Sequence, residues 1–264
     1  MTTPSSATSL SVAARASKPS RPETSDAGQT ACRRSRVMRK YQISALRPDG
    51  EIRQSEQIGP ALPLFEAAFS AFARNTLIQT AQGPVAVEDL RPGDQVETVE
   101  YGPTEVLWVG SMTLGPRPDS PTPPDARMTR ITPDAFGLGK PMSNVMFGPG
   151  ARILAPATHL RQQMGNAPVL TPVRHLVDGN GVIEITPPRP VTVYHLCLSR
   201  HATINAGGLS AESYHPGTGF EREMGEKMLG LFLSFFPHIN APYEFGGQSH
   251  LRLPLVTPDD LEVA

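Results

Sequence analysis

The stretch Ala71–Thr98, AFARNTLIQTAQGPVAVEDLRPGDQVET, decides the fold. Its apolar residues fall into short runs, NTLIQT, GPVAVEDL and DQVET, rich in β-branched residues and separated by glycine and proline. That pattern is the signature of small strands joined by tight turns, not of a helical period. Within it, LRPGD (Leu90–Asp94) puts proline at a corner and glycine next to it, where a turn calls for positive φ. The next run, DQVETVEYGPTEVLWVGSMTL, extends the same β texture.

Working outward, YQISALRPDGEIRQSEQI carries Pro-Asp-Gly between two extended runs and predicts a hairpin. ALPLFEAAFSAFA (Ala61–Ala73) reads as a short helix or a connector. On the other side, residues 115–127 form a proline-rich loop, and RITPDAFGLG (Arg130–Gly139) starts a short element. APVLTPVRHLVDGNGVIEITP predicts a strand or short helix, a turn at DGNG, then a strand. VTVYHLCLSRHATINAGGLSAESY predicts two strands, apolar at alternate positions and closed by Gly207-Gly208. From Thr218 to Phe236 the pattern turns helical, with acidic residues leading, as a helix dipole favours. Residues 237–264 are broken by proline and are expected to be only partly ordered. Residues 1–37 hold almost no bulky apolar side chain, so they are expected to be a disordered tail, with Met38 a candidate true start. The expected division is thus a tail over 1–37, a hairpin and connector over 38–64, a β domain over 65–217, and a helix with its tail over 218–264.

Bulk properties narrow the function. The 264 residues are 39% hydrophobic and 19% charged, with 28 prolines and 23 glycines, which suits a folded chain of many short elements. A net charge of −1 gives no electrostatic case for nucleic acid or an anionic membrane as partner. No apolar run reaches the roughly 18 residues of a membrane helix. Cys32 and Cys197 lie far apart in sequence, and a cytoplasmic, reducing location is the expectation. The seven histidines, at 159, 175, 195, 201, 215, 238 and 250, have no zinc-ligand spacing, so neither metal nor cofactor is expected. Cys197 and Trp108 sit in apolar runs and read as core.

Three blocks in order carry a resemblance: FARNTLIQTAQGPVAVEDLRPGDQVET; GPGARILAP followed by LTPVRHLVDGNGVIEI; and VYHLCLSRHATINAGGLSAESYHPG. Together, across roughly residues 65–217, they resemble the Hint (Hedgehog/intein) domain, in the bacterial form common in alphaproteobacteria. The resemblance implies a mostly β, horseshoe-like fold of short strands, flanked here by the N-terminal hairpin and the C-terminal helix. It also implies a chemistry. In that family a Cys or Ser at the first position attacks the preceding carbonyl, and a Thr/Ser-x-x-His block positions the peptide and protonates the leaving nitrogen.

Carried over residue by residue, the nucleophile falls on Ala71, the hydroxyl on Gly148 and the histidine on Ala151. None of the three can perform its role. His195 and His201 remain as weak remnant candidates, or as strand histidines bonded to their neighbours. Ser70 is a poor substitute nucleophile, because a one-residue shift in a strand turns the side chain to the other face. The expectation is therefore a degenerate, non-catalytic Hint-type protein that binds or interacts with a protein or peptide partner. The alternative is residual self-cleavage near Ser70–Ala71. If the register is right, Ala71 and Ala151 should come within about 10 Å of each other, the reach of a general acid directly or through one water.

Overall fold

The computed structural model describes residues 38–115, 127–156 and 168–255. The tail expected over 1–37, nearly all of the proline-rich loop, Cys32 and His159 lie outside the described residues.

Most of the regular structure among the described residues is strand, in one long antiparallel array. A hairpin comes first, β1 (Met38–Leu46) and β2 (Ile52–Pro60), in register from Met38 opposite Pro60 to Leu46 opposite Ile52. The Pro-Asp-Gly expected to close it does so: the Gly50 N–H donates to the Arg47 carbonyl at 2.9 Å. A one-turn helix follows, α1 (Pro63–Ala67), with proline in its first turn, where the missing N–H costs no helical bond. Then come β3 (Phe72–Ala73), β4 (Leu77–Thr80), β5 (Gly83–Ala86), β6 (Gln95–Thr98) and the long β7 (Gly102–Leu114). The Leu90–Asp94 turn forms as read, with Gly93 at φ +98° and the Asp94 carboxylate accepting the Arg91 N–H at 2.7 Å.

After β8 (Met128–Ile131) and β9 (Val145–Phe147) the chain makes β10 (Arg152–Pro156), β11 (Pro168–Pro172), β12 (Val182–Ile185) and β13 (Val191–Leu198). The last pair is β14 (Thr203–Ala206) and β15 (Leu209–Glu212). The strand order runs β11-β10-β15-β14-β4-β6-β7-β13-β3-β9-β8-β12, with β1 also against β7. Strand β7 holds this order together, because β6 pairs with its first residues and β13 with the remainder.

Three expectations are corrected. The run from Val191 gives three strands, not two, and Gly207-Gly208 turns only the last pair. Nor does β13 show a simple apolar alternation, since Leu196, Cys197 and Leu198 are all buried. It has a core on each face: Leu196 and Leu198 join one cluster with Ile78, Val96 and Ile204, whereas Val193 and Cys197 join an aromatic one. The helical stretch is interrupted, with a 3-10 turn at Phe220–Glu223, extended backbone at Met224 and Gly225, and then α2 (Glu226–Leu233). Up to Leu255 the tail is held by backbone bonds. Leu170 donates to the Leu251 carbonyl at 2.8 Å, and Leu253 donates to the Leu170 carbonyl at 2.9 Å.

The aromatic core explains why both flanks belong to the fold. Phe65 and Phe69 from before Ala71 pack with Phe232, Phe235 and Phe236 from the C-terminal helical segment and with Tyr41 of the hairpin. Ring centroids lie 5.2 Å apart for Phe65–Phe232 and 5.1 Å for Phe69–Trp108. The Trp108 indole N–H donates to the Phe235 carbonyl at 2.8 Å. The Trp108 ring lies across Gly110, where a Cβ would sit only 2.0 Å from it.

Candidate functional site

Ala71, Gly148 and Ala151 meet around one peptide bond. Ser70 and Ala71 are fully buried. The Ala71 N–H donates to the Tyr194 carbonyl at 3.0 Å, the Gly150 N–H donates to the Ser70 carbonyl at 3.0 Å, and the Gly148 N–H donates to the Ala71 carbonyl at 2.8 Å. The Gly148-Pro149-Gly150 segment runs between β9 and β10 and folds over this peptide, closed by an Ala151 N–H bond to the Gly148 carbonyl at 3.2 Å. Ala71 and Ala151 belong to the same buried apolar cluster.

The closeness of this wrap demands glycine. A Cβ on Gly148 would lie 2.2 Å from the Ser70 carbonyl oxygen, and one on Gly150 would lie 2.6 Å from the Ala67 carbonyl oxygen. Neither position has room for a side chain while the backbone stays where it is. The carbonyl oxygens of Ser70 and Ala67 occupy the space that side chains at these two positions would need.

The Gly150 N–H polarises the Ser70 carbonyl, as an oxyanion donor does. Ala71 offers only a methyl group at this peptide, and its own N–H is committed to Tyr194. The Ser70 hydroxyl is buried without a hydrogen-bond partner, an isolation that the sequence does not reveal.

His195 lies one residue beyond Tyr194, so β13 brings it beside the site. Its ring packs between Phe72 at 5.6 Å and Tyr214 at 5.2 Å, and its Nδ1 accepts the Leu196 N–H at 3.1 Å. Burial pushes its pKa down to about 3, so it is neutral across the physiological range.

His201 is not at this peptide. It belongs to a buried polar cluster around Glu212 that the sequence did not reveal. Glu212 accepts from His201 Nε2 at 3.2 Å and from Arg152 Nη1 at 3.2 Å, and Arg252 Nε is 3.4 Å away. The Ser249 N–H donates to His201 Nδ1 at 3.0 Å. His201 is thus held from both sides of its ring, by Ser249 at Nδ1 and by Glu212 at Nε2. Burial pushes the Glu212 carboxyl up, but Arg252, His201 and Arg152 outweigh it and hold it down, to about 2. Burial pulls Arg152 down to about 10, against the attraction of Glu212.

Arg252 also donates to the His215 carbonyl at 2.8 Å, and Arg152 donates to the Leu253 carbonyl at 3.1 Å. The cluster therefore ties the C-terminal tail to β10 and β15. Cys197 is buried, and burial raises its thiol pKa. Among the described residues, no group of three or more histidine, cysteine or acidic side chains is placed to hold a metal.

Comparison with known proteins places the chain. A family model described as Hint domain matches residues 70–218. Among solved structures, the chain is similar to a bacterial intein-like domain from Clostridium thermocellum, at 15% identity and a TM-score of 0.39, over 55% of this chain and 99% of that one. It is also similar to the gp41-1 intein, at 15% identity and a TM-score of 0.31, over 55% of this chain and 98% of that one. A third is the MchDnaB-1 intein, at 14% identity and a TM-score of 0.33, over 55% of this chain and 100% of that one. No curated protein sequence matches the chain.

Two outcomes follow from this geometry. Gly148→Ala should destabilise the protein by about 1–3 kcal/mol, the cost of overpacking a tight site. Gly230→Ala, at a helix position with open space around it, should stabilise it by about 0.5–1 kcal/mol. Denaturant titrations of both variants measure the contrast, and a harmless Gly148→Ala would show that the wrap is loose.

Stability should also fall in mild acid. Burial lowers His195 to about 3 and both His215 and His238 to about 4. The unfolded chain therefore binds more protons than the folded one as pH falls from about 6.5 toward 4, at up to about 1.4 kcal/mol per pH unit for each histidine. The depressed Glu212 adds its own loss between its ordinary range and about 2. Melting temperature against pH should decline steadily below about 6.5; a flat profile between pH 6.5 and 4.5 would contradict the neutral burial of these rings.

Proposed function

Because the chain belongs to the Hint-domain family, we propose that it is a non-catalytic member that keeps the Hint scaffold as a binding or interaction module. The observation that carries this is the closure of Gly148-Pro149-Gly150 over the Ser70–Ala71 peptide. A side chain at either glycine would collide with backbone oxygen, and Ala71 has no atom able to attack a carbonyl. The flanks support the same reading. In a self-cleaving arrangement the segment before the cut must be able to leave, but here Phe65 and Phe69 are core residues and β1 is paired along β7. The proposed partner is a protein or peptide, and the proposed location is the cytoplasm. Among the described residues no helix is long and apolar enough to cross a membrane.

One observation favours a second reading, residual self-cleavage. The Ser70 hydroxyl is buried, unpartnered and next to Ala71. Attack by its oxygen on the Phe69 carbonyl would break the Phe69–Ser70 amide, form an ester, and free the Ser70 amine after proton transfer to nitrogen. Hydroxylamine would then cleave the ester.

The test is intact-mass measurement after incubation with thiol or hydroxylamine. It must be done under denaturing conditions, because the aromatic core would hold the two pieces together. The non-catalytic reading predicts the full 28.4 kDa chain under every condition. Two complementary fragments, abolished by Ser70→Ala, would establish the second reading instead. Fragments starting at Ala71 would show that the peptide cradle is reactive.

A further inference from the structure

A cavity of about 1050 Å³ opens beside the joint, lined by α1, the segment before α2, and the C-terminal tail. Leu62 and Phe65, Met224 and Met228, and Leu253 and Leu255 give it apolar walls from three separate parts of the chain. Its size is at the upper end of small-molecule sites, which run to roughly 1,000 Å³. Methionines on such a wall can deform around an unbranched chain.

The polar lining is what sets the ligand. Arg152 and Arg252 both face this cavity, as does Tyr214, whose hydroxyl is buried with no hydrogen-bond partner. The two guanidinium groups share one carboxylate, Glu212. His215 is held neutral by burial. Two guanidinium groups against one carboxylate leave the cluster short of negative charge. An uncompensated buried charge is costly, and an anion of single charge relieves that cost. The other charged side chain on the lining, Glu223, is exposed to solvent and so contributes little to the interior.

We propose that this cavity is a binding site for a monoanionic amphiphile, a free carboxylate on an unbranched apolar chain. The carboxylate lies against Arg152 and Arg252, within reach of Tyr214. The chain lies along Leu62, Phe65, Met224 and Met228. The site goes beyond the proposed function, because it rests on the cavity lining and its charges and not on the chemistry of the Ser70–Ala71 peptide.

The test is calorimetric titration of the full chain with decanoate below its aggregation concentration, beside decan-1-ol and decyltrimethylammonium. Decanoate should bind one per chain and at least about tenfold more tightly than decan-1-ol, because charge-assisted hydrogen bonds are lost with the alcohol. Decyltrimethylammonium should not compete with it. Thr218→Glu, an exposed position on the lining, should weaken decanoate several-fold at low ionic strength and leave decan-1-ol unchanged. Met228→Trp should abolish binding by filling the apolar end, with circular dichroism showing that the fold is kept. Equal affinity for decanoate and decan-1-ol, or indifference to Thr218→Glu, would overturn the proposal. So would no decanoate binding at all, as when residues beyond Leu255 or a second copy of the chain fill the cavity.

Discussion

Everything distinctive about this protein turns on the peptide that joins Ser70 to Ala71. Three backbone hydrogen bonds hold it, from Ala71 to Tyr194, from Gly150 to Ser70 and from Gly148 to Ala71. The last two exist only because residues 148 and 150 have no side chains to keep the backbones apart. This closeness gives the chain a buried, fully bonded joint between its N-terminal flank and β3. The same closeness makes restoration difficult. A threonine at 148 would need the backbone to withdraw by more than an ångström of overlap before any chemistry could begin, and small misplacements of reacting groups already cost large factors in rate.

The joint matters because of what it connects. The hairpin, α1 and α2 do not hang from the Hint domain as appendages. They complete an aromatic core with Trp108, Phe235 and Phe236 on one face of β7 and β13. On the far side of β15, the cluster around Glu212 pins the tail through Ser249, Arg252 and Leu253. The residues on both sides of the family domain are therefore load paths of one structure. A chain built this way has reason to stay whole, and the cavity that its flanks enclose exists only while it does.

The sequence disclosed the fold class because its strands are short and strongly punctuated. Residues such as Pro92 and Gly93, or Asp49 and Gly50, announce turns by local chemistry alone. It also disclosed which positions to watch, since Ala71, Gly148 and Ala151 stand in recognisable blocks. What it could not disclose was everything that depends on a second segment. The burial of both faces of β13 requires the aromatic flanks, and so the count of strands after Val191 came out one too low. The tail reads as only partly ordered because proline breaks it, yet up to Leu255 it is held by backbone bonds to Leu170 and by the buried carboxylate of Glu212. Nothing in the run LSAES marks that glutamate as the centre of a charge cluster. Likewise, two glycines flanking a proline read as a loop signal until the carbonyl oxygens of Ser70 and Ala67 are seen pressing against them.

The central claim is that the Ser70–Ala71 peptide is a closed structural joint. Amide hydrogen exchange tests it most directly, because exchange reads the free energy of opening residue by residue. The amides of Ala71, Gly148 and Gly150 should exchange only with global unfolding, at the same free energy as the paired amides of β7 and β13. Exchange of these three through a local opening, several kcal/mol below the global value and independent of denaturant, would show that the segment swings away from the peptide. The joint would then be an accessible site, contrary to this account.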